Sequence, residues 1–380
     1  MRFRAEIHNI TTFTSLAASL ATLGHITWLR LSAHDVRFTV IPETGSQVWS
    51  VLAPETLFDA YTIQSAAEHH TINLEVPLQA LLRALKSARS AVSASVRLTK
   101  KEGVPLLSLT IVSAVCAGNG GGNGEAGGGG GFNAPSTAGN GTAFGTTTDT
   151  FPSEAGSADF FGPARPDRET VITQDIPVRV LAPASVQGLH EPRCREPDVH
   201  IVLPNLQQLK SISDRFTKLA LASKSASRTG FAAANTNTHT NANANTAASG
   251  PKLELSANMH GCLRLSLATD PSRLTSLWTG LENPELDPAQ APDGIANHPS
   301  TKMRALGDAS GQGEEGWATV RIEGRDWGRV LSVGRLGGRV IACFCAGEAV
   351  VVYVFLGGEG EEAGGGGESV LTYYISSFSA

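Results

Sequence analysis

Cysteine and histidine side chains are the first groups to test for chemistry, because thiolates and imidazoles bind metals and act as nucleophiles. Cys343 and Cys345 stand two apart in the strand-like stretch ACFC, so both side chains point to one face. His190 and Cys194 form a second pair in the irregular stretch HEPRC. No further ligand pair follows at a spacing suited to zinc, so the sequence predicts apolar packing for the ACFC cysteines and no metal site.

Signatures of catalysis do not occur in the chain. The sequence contains no G-x-x-x-x-G-K-[ST], no H-E-x-x-H and no G-x-S-x-G. The glycine run at 118–124 imitates a dinucleotide fingerprint, but no strand or helix pattern flanks it. His69 and His70 are best interpreted as surface residues, and the acidic residues are too dispersed to nominate a general acid–base pair. We therefore predict a protein that is not an enzyme and has no cofactor.

Charge and cysteine content restrict the class of protein further. The 380 residues carry a formal net charge of −5, which argues against a generally basic nucleic-acid coat but leaves room for a local basic surface. The five scattered cysteines suggest no disulfide framework and favour a reducing compartment. The start MRFRAEI lacks the apolar run of a signal peptide, and the longest apolar stretch, 349–356, is too short to span a bilayer. The expectation is a soluble intracellular protein without membrane contact.

Low-complexity segments interrupt the chain. They are dominated by Gly, Ala, Asn, Thr, Ser and Glu, so they cannot bury enough apolar surface to offset the entropy of ordering. We predict disorder for 117–170, 223–250, 282–316 and 357–368.

The remaining sequence repeats one order of elements four times, namely a strand, a helix and three further strands. The predicted strands of the first two units are 2–7, 26–32, 36–41, 47–52, 71–76, 94–99, 106–112 and 172–182, with helices at 11–23 and 77–89. The strands of the last two units are 199–203, 252–258, 262–268, 273–278, 318–323, 339–345, 349–355 and 370–376, with helices at 204–220 and 325–336. The helix follows the first strand each time and is expected nowhere else.

This repetition predicts an α+β fold with two pseudo-symmetric domains, each built from two such units. The first domain covers 1–181, because 172–182 supplies the strand that its second unit lacks. Residues 182–198 are irregular and contain proline, so they read as an inter-domain connector, and the second domain covers 199–380. The alternative is an ordinary α+β protein in which hairpins recur by chance.

Basic residues recur on the helix faces opposite the apolar stripes. They are Arg83 and Lys86 on the second helix, Lys210 and Lys218 on the third, and Arg325 and Arg329 on the fourth. The apolar stripe of the third helix is predicted to run from Leu206 to Leu219. The first helix differs, since its outer positions Thr14, Ser15, Ala18 and Thr22 are small and neutral. Cations on a helical surface suit phosphate backbones without sequence preference, whereas the alternative is an ordinary solvated face.

The repeated order resembles the sliding-clamp fold of proliferating cell nuclear antigen (PCNA). Particular stretches resemble the hydroxyurea-sensitive-type (HUS) subunit of the heterotrimeric DNA-damage checkpoint clamp, the nine-one-one complex. These stretches are MRFRAEI, VWSVLAPETLFDAYTI, INLEVPLQALLRALKSA, DIPVRVL, EPDVHIVLPNLQQLKSI, SLWTGLENPEL and LTYYIS. They touch both domains and nearly every unit, whereas the four low-complexity insertions depart from the family pattern.

The resemblance implies a nuclear, non-enzymatic subunit that joins two sister clamp subunits in a ring around double-stranded DNA. It further implies an ATP-dependent clamp loader and a platform role for repair and checkpoint proteins. In relatives the connector borders a groove for partner peptides, which makes Val186 and Leu189 its candidate apolar anchors. A homotrimeric replication clamp and an unrelated α+β enzyme are the alternative functions.

Overall fold

A computed structural model describes residues 1–43, 45–67, 70–115, 168–229, 251–269, 272–286, 294–308, 310–356 and 369–378. The chain divides into two units by its contacts, Met1–Ser113 with Val171–Ala380 and, separately, Ala114–Thr170. Of the second unit only the ends of two strands are described.

The strands up to residue 180 follow the predicted order with one addition. They are β1 Arg2–Ile7, β2 Ile26–Leu31, β3 Val36–Val40, β4 Gln47–Leu52, β5 Phe58–Gln64, β6 Ile72–Pro77, β7 Ser93–Lys101, β8 Val104–Val115, β9 Arg168–Pro177 and β10 Arg179–Val180. Strand β5 was not predicted. The predicted strand 172–182 is divided between β9 and β10, and β9 begins before it.

The later strands match their predictions closely. They are β11 Val199–Val202, β12 Lys252–Asn258, β13 Leu263–Thr269, β14 Ser272–Trp278, β15 Trp317–Glu323, β16 Val340–Cys345, β17 Ala349–Leu356 and β18 Ser369–Ser376. The helices are α1 Ile10–Leu23, α2 Leu78–Ser87, α3 Pro183–Val186, α4 Leu206–Thr229, α5 Pro299–Leu306 and α6 Gly324–Val330. A 3-10 turn, Leu331–Arg335, continues directly from α6.

Local chemistry explains where the long helices begin. The Asn9 side chain accepts a hydrogen bond from the Thr12 amide at 2.9 Å and caps α1. The Asn205 side chain accepts from the amides of Gln207 and Gln208 at 3.0 and 3.2 Å and caps α4. These bonds satisfy amides that a helix start leaves without an internal partner.

Two predicted disordered segments contain regular structure, so those predictions were wrong in part. Helix α4 continues to Thr229, because six of its last ten residues are the good helix formers alanine, leucine, lysine and arginine. Helix α5 lies inside 282–316, where the His298 side chain accepts from the Ser300 amide at 3.2 Å and Pro299 occupies the first turn. The expectation that helices occur only after a first strand was therefore also wrong. Residues 230–250, 357–368 and 117–167 lie outside the described residues, whereas 168–170 belong to β9.

The described strands form three sheets with the orders β5-β1-β7-β8-β9, β10-β6-β2-β3-β4-β18-β17-β16-β11 and β14-β13-β12-β15. Within these sheets, the first and second units exchange their first strands, and so do the third and fourth units. The three later strands of each unit are extended by the first strand of its partner unit, so β1 joins β7, β6 joins β2, β11 joins β16 and β15 joins β12. This equivalence confirms the pseudo-symmetric α+β fold. The exact domain boundaries at 181 and 199 remain a prediction.

One junction connects the two halves of the chain. The last strand of the first unit, β4, pairs antiparallel with the last strand of the fourth unit, β18, over five residue pairs from Val370↔Val51 to Tyr374↔Gln47. We call this pairing the internal seam. The last strands of the second and third units, β9 and β14, instead lie at sheet edges in the described part of the chain.

The core of the N-terminal half lies between its two sheets and α1. Phe13 of α1 packs edge-on against Phe58 of β5, with ring centroids 5.6 Å apart, and contacts Phe38 of β3 at 6.1 Å. All three side chains are buried. Burial of one such side chain stabilises the fold by roughly 1.5–3 kcal/mol, so these contacts fix α1 on the sheets.

Candidate nucleic-acid interface and connector groove

Four helices lie side by side in the order α2, α1, α6 and α4. Helix α1 contacts α2 on one side and α6 on the other. Between α1 and α6, the Thr22 hydroxyl lies 3.4 Å from the Arg329 carbonyl and 3.2 Å from the Ser332 hydroxyl. Between α6 and α4, the Lys210 ammonium donates to the Gly328 carbonyl at 3.0 Å. The row of helices therefore continues across the internal seam.

The small neutral residues of α1 are explained by its central position in this row. Thr14 is buried rather than outward-facing, which corrects its predicted placement. Its hydroxyl donates to the Ile10 carbonyl at 2.7 Å, so it needs no solvent. Ser15, Ala18 and Thr22 are half-buried. Small side chains let neighbouring helices approach closely, and a charged residue here would have to be desolvated.

Glycine residues permit a similar approach between α6 and α4. A Cβ atom added to Gly324 would lie 2.7 Å from the Thr217 hydroxyl oxygen, and one added to Gly328 would lie 3.3 Å from a carboxylate oxygen of Asp214. The backbone of α6 thus lies directly against side chains of α4 at these two positions. Larger residues would separate α6 from α4 and widen the row.

The six predicted DNA-facing cations divide into two groups. Arg83, Lys86, Lys218 and Arg325 are exposed on helix faces turned away from the core. Lys210 and Arg329 are half-buried and paired, Lys210 with Asp214 at 3.2 Å and Arg329 with Asp326 at 3.3 Å. Because a paired cation offers less charge to a phosphate, the exposed four are the stronger candidates.

Sequence reasoning missed further exposed cations beside this row. Arg215 lies on α4, Arg89 follows α2, and Arg335 lies in the 3-10 turn after α6, and all three are exposed. Arg215 lies three residues before Lys218 on the same helix, so its position on the helix would have identified it. Conversely, Leu219 was predicted to face the sheet but is 52% exposed, since Ala220 turns inward instead.

One acidic residue at the start of α6, Asp326, has a perturbed pKa. Burial, together with the neighbouring Glu323, raises the pKa of Asp326 above its usual value despite its contact with Arg329. Gly45 approaches this carboxylate so closely that an added Cβ would lie 2.7 Å from an oxygen. The loop before β4 therefore packs directly on the start of α6.

The connector covers a groove on the face of the nine-stranded sheet opposite the helices. The groove has a volume of about 500 Å³ and is lined by the side chains of Trp28, Trp49, Val51, Leu181, Val186 and Leu189, together with polar residues. Both predicted anchors, Val186 and Leu189, thus reach it and are half-buried. The two tryptophans were missed, although their positions on β2 and β4 alternate with buried residues. Register places both opposite Thr39.

Polar contacts fix the two ends of the connector. The Leu181 amide donates to the Asn73 carbonyl at 2.9 Å. At the other end, the Arg195 guanidinium donates to both carboxylate oxygens of Asp198, and the Ala346 amide donates to Asp198 at 2.7 Å. Burial opposes ionisation of Asp198, but these hydrogen bonds hold its pKa below its usual value. Between the ends, the Tyr374 hydroxyl donates to Glu191 at 2.9 Å.

Cysteine and histidine side chains are the candidates for reactive thiols and metal ligands in the part of the chain that the structure describes. Burial raises the pKa of Cys343 to about 12 and that of Cys345 to about 11, so both thiols stay protonated at neutral pH. His190 and His70 are exposed, and His69 lies outside the described residues. Among the described residues, no group of three or more His, Cys, Asp or Glu side chains is placed to hold a metal ion. No helix of the described chain is long and apolar enough to cross a bilayer.

Comparison with solved structures gives the class of protein. The fold is similar to that of the proliferating cellular nuclear antigen of Entamoeba histolytica, with a TM-score of 0.53 at 10% identity over 99% of this chain and 98% of that chain. The protein therefore has the PCNA-like clamp fold. The family described as Hus1-like protein matches residues 1–379, and this chain belongs to that family.

Relatives in the same family agree over most of the chain. The checkpoint protein hus1 of Schizosaccharomyces pombe is 34% identical over 379 residues, covering 100% of this chain and 99% of that protein. The checkpoint protein HUS1 of Homo sapiens is 23% identical over 293 residues, covering 75% of this chain and 76% of that protein. The resemblance seen in the sequence is confirmed.

Proposed function

We propose that this chain is one subunit of a heterotrimeric checkpoint clamp that encircles duplex DNA at sites of damage and serves as a platform for signalling and repair proteins. It acts in the nucleus without chemistry of its own, and an ATP-dependent loader opens and closes the ring. Membership in the Hus1-like family and the checkpoint role in the printed names of its relatives support this proposal.

The observation that carries the proposal is the unequal use of equivalent strands. Strands β4 and β18 form the internal seam, while their counterparts β14 and β9 lie at edges. In a neighbouring subunit of the same fold, the strand equivalent to β14 would also lie at a sheet edge. Antiparallel pairing of β9 with that strand would form, between two chains, the same contact that the internal seam forms within this one. Repetition of this contact around a ring would place the helix rows of all subunits on one side, facing the enclosed DNA.

Edge strands of this kind need a partner, because exposed backbone donors and acceptors promote unspecific pairing. Val171 and Ile172 of β9 are 61% and 42% exposed, and Leu277 of β14 is 46% exposed. These apolar side chains are suited to burial against sister subunits. We further propose that the connector groove, with Val186 and Leu189 among its lining residues, receives a peptide of a repair or checkpoint partner.

The DNA-facing assignment is tested on the assembled ring by the salt dependence of DNA binding. Replacement of Arg83, Lys86, Lys218 and Arg325 by alanine should weaken binding and reduce the slope of log affinity against log salt, because fewer counterions are released. The matched control replaces the paired cations Lys210 and Arg329, and it should change the slope less. An unchanged slope in the fourfold variant would contradict this assignment.

A further inference from the structure

A cationic patch lies on the solvent face of the five-stranded sheet. Arg2 and Arg4 of β1 and Arg97 of β7 are exposed, while the alternate residues Phe3, Ala5 and Val96 are buried. The three arginines therefore point away from the core and from α1, which packs on the buried face. Lys101 lies at the end of β7 with the same alternation and is also exposed.

Register places two of these charges directly opposite each other. Arg4 pairs with Arg97 across the antiparallel ladder between β1 and β7. Residues opposite each other in such a ladder have Cβ atoms about 4.5–5.5 Å apart, so like charges there destabilise the sheet. Arg2 lies two residues along the same strand and adds a third guanidinium on the same face.

No carboxylate forms an ion pair with the patch within the described chain. Arg2, Arg4 and Arg97 take part in none of its ion pairs, although Glu6 and Asp175 are exposed on strands of the same sheet. Glu6 pairs in register with Asp59 on one side and Ser95 on the other, and Asp59 binds His8 at 2.9 Å. Glu6 lies on the same face of β1 as Arg4, but one carboxylate beside three guanidinium groups leaves the patch with a net positive charge.

A second pair of facing arginines in the molecule is stabilised by a neighbouring carboxylate. Arg30 and Arg37 face each other between β2 and β3 in the same manner. There, however, Asp35 accepts hydrogen bonds from Arg37 at 2.6 and 3.0 Å. Burial opposes ionisation of Asp35, but the hydrogen bonds from Arg37 and Ser32 keep its pKa below its usual value. Asp35 thus reduces the repulsion between Arg30 and Arg37, whereas Arg4 and Arg97 have no ion pair with a carboxylate in the described chain.

We propose that Arg2, Arg4 and Arg97 form a binding site for a phosphorylated serine or threonine in an acidic peptide of a partner protein. Three guanidinium groups exceed the charge of a single carboxylate, whereas a phosphate monoester carries about −1.5 to −2 charges and three acceptor oxygens. Arginine forks bind such oxygens in pairs. Duplex DNA is a less suitable occupant, because the patch lies on the opposite side of the sheet from the proposed DNA-facing helices.

The test uses the full chain alone and therefore does not depend on ring assembly. Fluorescence anisotropy is measured with a labelled peptide of sequence Glu-Glu-phosphoserine-Glu-Glu, with its unphosphorylated form and with a labelled DNA duplex. The chain should bind the phosphopeptide more tightly than the unphosphorylated peptide. R4Q/R97Q should lose at least about tenfold in phosphopeptide affinity, since charge-assisted hydrogen bonds are removed.

The control R179Q/R339Q removes the same net charge from exposed arginines that already pair with Glu75 and Glu282, and it should retain binding. Thermal unfolding of R4Q/R97Q should occur at the same or a higher temperature, because like-charge repulsion is relieved. Equal binding of both peptides, equal losses in both variants, or loss of duplex binding without loss of phosphopeptide binding would overturn the proposal.

Discussion

Two pairs of equivalent strands are used differently in this protein, and the difference explains how the folded chain keeps sheet edges available for assembly. At the internal seam, β4 and β18 pair within the chain and the connector crosses their outer face. Their counterparts β14 and β9 remain at edges of the described sheets. The first pairing is part of folding, whereas the second is proposed to form only between subunits. Substitutions at the two places should therefore affect different quantities.

The largest effect is expected from Leu371→Pro in β18. This strand pairs with β17 on one side and β4 on the other, so proline removes a ladder hydrogen bond in the interior of the sheet. Leu371 is also fully buried. We expect the free energy of unfolding to fall by about 3 kcal/mol or more. Denaturation with urea measures it, and a loss below about 1 kcal/mol would show that the seam contributes little to the fold.

A substitution at the open edge should spare the fold and impair assembly. Val171→Asp in β9 changes a side chain that is 61% exposed, so stability should shift by no more than about 0.5 kcal/mol. A buried unpaired carboxylate should weaken association with the sister subunit by about tenfold or more. Val92→Asp, at a 70% exposed position outside the edges, is the matched control. Equal affinities of the two variants for the sister subunits would rule out β9 as an interface.

The anchor of the connector at Asp198 provides a pH-dependent test of how the connector is held on the sheet. The folded pKa of Asp198 is lowered, so its ionised form stabilises the fold above the unfolded pKa near 3.9, and this contribution disappears as pH falls through the folded pKa. Asp198→Asn should therefore cost about 1–2 kcal/mol at pH 7 and progressively less below pH 4. Urea denaturation across this pH range measures the difference. A cost that does not vary with pH would contradict the assigned role of the charge.

The smallest effect is expected at the helix contact beneath the seam. Thr22→Val keeps the shape of the side chain and removes its hydroxyl, which lies 2.7 Å from the Ser19 carbonyl in α1, 3.4 Å from the Arg329 carbonyl of α6 and 3.2 Å from the Ser332 hydroxyl of the following 3-10 turn. We expect a loss of about 0.5–1.5 kcal/mol in unfolding free energy. Ser15→Ala, at a half-buried position of the same helix, is the control and should cost less. Stabilisation by Thr22→Val would show that apolar packing, and not hydrogen bonding, joins the two halves.

The sequence was sufficient to predict the four units, because strands such as β1, β3 and β15 alternate buried and less buried residues and the long helices have one apolar stripe. It could not predict β5, since a shift in register between Arg4 and Glu6 and a positive φ at Ala60 break the alternation. Helix α5 was hidden in a polar segment and depends on the His298 cap. The contact of Lys210 with the Gly328 carbonyl was equally inaccessible, because it depends on the distance between α4 and α6. The pairing of Lys210 with Asp214 lies within α4 and could have been predicted from the i,i+4 spacing of the two residues.

The patch of Arg2, Arg4 and Arg97 illustrates the same limit. Alternation alone places the three side chains on a solvent face. Only the register of β1 with β7 shows that two of them are direct neighbours. Long-range register is a property of the folded sheet, and a local pattern does not specify it.

The measurement that tests the account most directly is the mass in solution, by light scattering, of this chain alone and of an equimolar mixture with its two sister clamp subunits. Alone, the chain should have the mass of one 39.7 kDa subunit, because its edges β9 and β14 are expected to fit sister subunits and not each other. The mixture should contain a complex with one copy of each subunit. A stable trimer of this chain alone, as expected of a replication clamp, or no complex in the mixture, would contradict the account.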